Sequence, residues 1–90
     1  MSTSEHITQV CEEVKNLLLD KNKKYGDSAL NPVRVFSKAS PVEQILVRID
    51  DKISRLDRGA GLQEVEEDAI MDLIGYLILL KIAQSRETHL

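Results

Sequence analysis

No tryptophan, one phenylalanine and two tyrosines are all the aromatic side chains in these 90 residues. So sparse a set cannot supply the row of stacked rings that grips bases in general single-strand binders. Excess positive charge is missing too. Twelve Lys and Arg stand against fifteen Asp and Glu, a net charge of −3, whereas a nucleic-acid surface needs cations that displace backbone counterions. Nucleic acid is therefore not an expected partner. The single cysteine, Cys11, cannot form an internal disulfide; its place on an apolar stripe reads as a buried thiol in a reducing compartment. Met1 is followed by Ser-Thr-Ser-Glu rather than a basic and then an apolar run, so no secretory leader is expected. The most apolar stretch, 69–80, is interrupted by Asp72 and too short to span a bilayer. There is no Cys/His metal spacing, no glycine-rich phosphate loop and no Ser–His–Asp set. His6 and His89 stand near the two ends. These absences point to one small, mildly acidic, cytoplasmic domain with no membrane segment.

What is present is helical periodicity. Ile7, Val10, Cys11, Val14, Leu17 and Leu18 recur at steps of three and four, predicting a helix over about 4–22 with one buried face. Glutamates stand near its start, lysines gather at its end as the helix dipole prefers, and Gly26 is its stop. Residues 26–40 form a long connection, read as structured because Leu30, Val33, Val35 and Phe36 give it apolar surface to bury. Ser40-Pro41-Val42-Glu43 then combines a capping serine, a proline at the first helical position and a capping-box glutamate. The second helix runs over about 41–58, with Val42, Ile45, Leu46, Ile49, Ile53 and Leu56 on one stripe, and Gly59-Ala60-Gly61 ends it. The third spans about 63–85 and is apolar on nearly every side at its centre, more than three helices can cover. The expected architecture is all-α: three helices, a long structured loop between the first two, and a homo-oligomeric bundle joined through the third.

Three groups of residues have chemistry to offer. Asp68 and Asp72 are four apart on one face of the third helix, in apolar surroundings where a carboxylate requires a cation, a metal or a proton. Arg48, Lys52 and Arg55 form a basic stripe on the second helix. That stripe either pairs with the two aspartates to set the register of the helices, or holds phosphate oxygens while the acids hold a bridging magnesium ion. Asp51 is placed to pair with Arg55 on a solvated face, and Asp50, beside the apolar stripe, is the better metal ligand. The stretch Lys23-Lys24-Tyr25-Gly26-Asp27-Ser28 offers charge for a phosphate, a ring for a base and free backbone amides. It equally describes a helix end with a tyrosine folded onto the core.

The segments KNKKYGDSALNP, RIDDKISRL and EEDAIMDLIGY, in that order, make the chain resemble the phage- and prophage-borne nucleotide-modification-associated domains. Through them it is similar to the all-α nucleotide pyrophosphohydrolases of the MazG and dimeric dUTPase group. The resemblance covers about residues 12–83 and rests most on Lys24-Tyr25-Gly26 and on Asp72-Leu73-x-x-Tyr76. It implies an α-helical oligomer in the host cytoplasm, with a nucleotide site near acidic residues of two helices. It further implies magnesium held by those acids and attack of water between the α and β phosphates. On this chain, Glu67, Asp68 and Asp72 match the acidic motif, with Glu67 and Asp72 as catalytic residues and Asp68, Asp72 and Asp50 as metal ligands. Lys24, Tyr25, Gly26 and Asp27, with Arg48, Lys52 and Arg55, would hold the substrate. Two departures stand out. Glu12-Glu13 is followed by no third carboxylate one turn later, and the later acids are four apart rather than three. Three functions therefore follow as expectations: a magnesium-dependent nucleotide hydrolase, a non-catalytic nucleotide-binding protein, or a helical interaction module without a small ligand.

Overall fold

The computed structural model describes residues 1–32, 34, 36–59 and 68–87, and in them the chain forms three α-helices and no strand. Helix α1 covers Thr3–Tyr25, α2 Pro41–Asp57 and α3 Ala69–Glu87.

Each helix end that the structure describes has a local cause. The Ser2 hydroxyl accepts from the Glu5 amide at 3.1 Å to start α1, and the Ser40 hydroxyl accepts from the Glu43 amide at 3.2 Å to start α2. At the end of α1, Gly26 takes the left-handed conformation (φ 62°, ψ 40°) and its N–H bonds to the Asn22 carbonyl, as a glycine just past a helix does. The helix runs to this glycine rather than stopping at 22, because Lys23 and Lys24 favour helix as much as the residues before them. Asp27 follows with φ 61°. Its carbonyl accepts from the amides of Leu30 (3.2 Å) and Asn31 (2.9 Å), and its Oδ2 accepts from Asn31 Nδ2 at 2.6 Å. The chain is thereby turned back at once, and Leu30 is driven into the core.

The connection is only partly packed. Leu30 is buried as expected, but Phe36 is 95 % exposed; Val33 and Val35 lie outside the described residues. Short local bonds order the remainder, with Arg34 donating to the Ala39 carbonyl and Gln44 Nε2 donating to the same oxygen at 3.2 Å.

Helices α2 and α3 pack closely, while α1 rests on α3 alone, and no Cα of α1 comes within 8 Å of one in α2. Lys52 meets Asp72 at one end of the α2–α3 pair, and Ile45 shares a cluster with Ala83 at the other, so these two helices run antiparallel. The inward stripe of α3 is Ala69, Leu73, Tyr76, Leu79, Leu80 and Ala83, a run at steps of three and four. Small residues occupy the closest approaches. Ala69, Gly75 and Ala83 are the buried positions of α3, and a Cβ added at Gly75 would stand 3.0 Å from Leu18 Cδ2 of α1.

Two expectations about burial are corrected. The first turns of α1 are not covered. Ile7 is 60 % exposed, Val10 and Cys11 are exposed as well, and Val14 is the one buried residue of this helix. The cause is that only α3 approaches α1, and it does so toward the helix's C-terminal half. Likewise Asp68 does not lie on a helix face beside Asp72. It stands just before α3, exposed, where its Oδ1 accepts from the Met71 amide at 2.9 Å and its carbonyl accepts from the Asp72 amide at 3.0 Å. Aspartate is a preferred N-cap, and the cap position won over the helix interior. The stretch before it, 60–67, lies outside the described residues.

Candidate functional site

The last turns of α1 carry Leu18, Lys21, Asn22 and Tyr25 at steps of three, one and three, which places them on one side of the helix. The turn after Gly26 adds Ser28 and Ala29, α2 adds Arg48, and α3 adds Tyr76 and Leu79. Together these residues line a cleft of about 400 Å³, well within the size of small-molecule sites. Among the described residues its wall carries two cations, two phenol rings, an amide, a hydroxyl and two leucines, and no carboxylate.

Asp72 stands at the rim through Lys21, which both lines the cleft and donates to Asp72 Oδ1 at 3.5 Å. The other oxygen, Oδ2, faces Lys52 Nζ at 3.2 Å. The carboxylate thus ties α3 to α1 and α2 together. Its side chain is 21 % exposed and that of Lys52 14 %, against 48 % for Lys21. The pairing foreseen between the basic stripe and the acidic face is made by Lys52. Lys21 is a partner that the stripe did not predict.

Of the sequence candidates, Tyr25 and Arg48 line the cleft. Lys24 is exposed, its ammonium 5.6 Å from the centre of the Tyr25 ring, a cation–π approach that leaves the charge in water. Gly26 and Asp27 shape the turn and do not line the cleft. Arg55 pairs with Asp51 at 3.3 Å on its own helix, Asp50 is exposed on α2, and Glu67 lies outside the described residues. Lys21 and Asn22 were not among the site candidates, while Ser28 and Tyr76 entered only as members of the loop stretch and of the Asp72-Leu73-x-x-Tyr76 pattern. The i, i+4 spacing of Lys21 and Tyr25 is the signal that could have added the first.

A magnesium ion implied by the resemblance would need one or two carboxylates free to bind it. Among the described residues no three His, Cys, Asp or Glu side chains gather as a metal would require. Asp68 is engaged in capping α3 and Asp72 faces two ammonium groups. The described residues therefore do not fit the ion. Nor, among them, is any helix long and apolar enough to cross a membrane. Comparison of the chain with protein-family models, with curated proteins and with solved structures finds no match.

Proposed function

We propose that this protein binds a nucleotide in the cleft where α1 meets the α2–α3 pair. The observation that carries this reading is the composition of the wall. Lys21 and Arg48 offer charge to a phosphate, while Tyr25 and Tyr76 with Leu18 and Leu79 offer rings and apolar surface to a base. Lys24, exposed beside Tyr25, adds to the positive field around it. A panel of nucleotides, each with and without magnesium, tests the reading by thermal shift, because a ligand of the native state raises the melting temperature by mass action. At a hundred times its Kd a ligand adds about 2.7 kcal/mol, or roughly 10–20 °C for a domain of this size. No shift with any nucleotide would overturn the proposal.

The second reading is a magnesium-dependent nucleoside triphosphate pyrophosphohydrolase. It is favoured by the position of Asp72 at the rim, one lysine away from the cleft. The resemblance assigns it Glu67 and Asp72 for catalysis and Asp68, Asp72 and Asp50 for the ion, a set that the described residues do not gather. Pyrophosphate release from a triphosphate would establish it.

We further propose that the protein works as a homo-oligomer through α3, in the cytoplasm, where nucleotides abound and the exposed thiol of Cys11 stays reduced. Opposite its packed stripe α3 presents Ile70, Leu77, Ile78 and Ile82, all exposed and on one face. The accessible surface is 6952 Å², against about 5,300 Å² for a compact monomer of this mass. The radius of gyration is 14.6 Å, against about 12 Å for a compact chain of this length. The excess, about 1,650 Å² on one chain, is about twice what each partner buries in a standard interface. In light scattering the native chain is expected above monomer mass, and Leu77→Glu is expected to lower that mass. A native monomer at tens of micromolar would overturn this part.

A further inference from the structure

Helices α1 and α3 run antiparallel, since Lys21 meets Asp72 and, one turn further along, Leu18 comes against Gly75. From that contact the inward stripe of α1 continues toward its N-terminus as Val14, Cys11, Val10 and Ile7, at steps of three and four. On α3 the side that faces α1 continues from Gly75 as Ile78 and Ile82. Val14 is buried, but beyond it the two stripes part. Ile7 is 60 % exposed, Val10 44 %, Ile78 40 % and Ile82 37 %, and Cys11 is exposed too. The result is a wedge, apolar on both walls and open to water, at the opposite end of α1 from the cleft.

We propose that the wedge is filled by the same wedge of a second copy. The N-terminal half of α1 in each chain lies on Ile78 and Ile82 of its partner, and the two helix pairs close as a four-helix bundle. This rests on the homo-oligomer reading above and adds α1 to a contact so far assigned to α3. Charge is the first reason for a second copy. From Thr3 to Val14 the chain has Glu5, Glu12 and Glu13 and no Lys or Arg; from Ile78 to Arg86 it has Lys81 and Arg86 and no Asp or Glu. Glu13 stands three residues from Val10 and Arg86 four from Ile82, so each borders the apolar stripe of its own helix. A two-fold contact lays the acidic wall of one chain along the basic wall of the other, and does so twice. Area is the second reason. The surplus of about 1,650 Å² is twice what one standard contact takes from a chain, so covering the outer face of α3 leaves as much again for the wedge.

Cys11, the one cysteine of the chain, reports on the wedge. Its thiol is exposed in a single copy, so a chain with an open wedge should react with a maleimide about as fast as the urea-unfolded chain. At tens of micromolar the native protein is expected to react at least ten-fold more slowly. Val10→Glu is expected to restore the fast reaction and to lower the mass in light scattering, with unchanged helical circular dichroism. Leu19, 60 % exposed on the opposite side of α1, is the control, and Leu19→Glu is expected to change neither readout. An assembly whose Cys11 reacts at the unfolded rate, and whose mass survives Val10→Glu but falls in Leu77→Glu, would overturn the wedge contact and leave the α3 reading intact. A native monomer at tens of micromolar would overturn both.

Discussion

Replacing Ile45 by alanine is expected to cost about 3 kcal/mol and to lower the melting temperature by roughly 10–20 °C. Ile45 is 1 % exposed and is the largest side chain that is fully buried. It sits among Leu30, Ile49 and Ala83, with Val42, Leu73, Tyr76, Leu79 and Leu80 packed around them. Truncation removes its transfer free energy and leaves a cavity between two helices and the turn. The loss falls in the lower part of the usual 2–5 kcal/mol range, because the half-exposed neighbours have room to relax. For so small a domain it is still a large share of the total stability. Denaturant titration checks it as a lower midpoint at unchanged slope. Ile53, two turns along the same helix and 51 % exposed, provides the comparison. Ile53→Ala should cost under about 1 kcal/mol if only this chain covers it. An equal loss at both positions would reveal that Ile53 is covered by a second copy.

Asp72→Asn is expected to destabilise by about 1–3 kcal/mol while leaving nucleotide affinity unchanged or improved. The carboxylate bridges an ammonium from each of the other helices, at 3.5 Å to Lys21 and 3.2 Å to Lys52. Exposed ion pairs are worth under about 1 kcal/mol, and breaking fully buried ones costs about 3–5. Asp72 lies between these limits, and the Lys21 arm, being half in water, contributes the smaller part. A double-mutant cycle with Lys52→Met isolates the other arm. Affinity moves the opposite way because the substitution releases Lys21 to the phosphate. Under the hydrolase reading the same change instead abolishes turnover of a triphosphate. A stable Asp72→Asn protein that has lost pyrophosphate release would therefore favour catalysis. A destabilised one that still binds a nucleotide would favour binding without turnover.

Much of the fold was legible because it is set locally. Ser40-Pro41-Val42-Glu43 starts α2 and Gly26 ends α1 through bonds between residues three or four apart, and such bonds need nothing from the rest of the chain. That no helix among the described residues is long and apolar enough to cross a membrane was legible for the same reason, since hydropathy is read along one segment. Asp68 was misread because cap and helix interior accept the same residue, and what decides between them is where α3 begins. The site was legible in part. Tyr25 and Arg48 stood out by type and spacing, and Tyr76 entered through the Asp72-Leu73-x-x-Tyr76 pattern, but only the docking of α3 put it on the same wall.

The sequence by itself determined the helical class, the start of α2 and the glycine that ends α1, and the supply of cations and rings near Tyr25 and Arg48. Only the tertiary structure decided which of the two apolar faces of α3 would be packed. A helix that is apolar all round carries no internal preference, and it was Ala69, Gly75 and Ala83 that let its neighbours come close. The tertiary structure likewise brought Lys21 to Asp72, 51 residues further along the chain, and left Cys11 and Phe36 in water. Charge pairing and burial depend on what lies opposite, and what lies opposite is fixed only when helices dock.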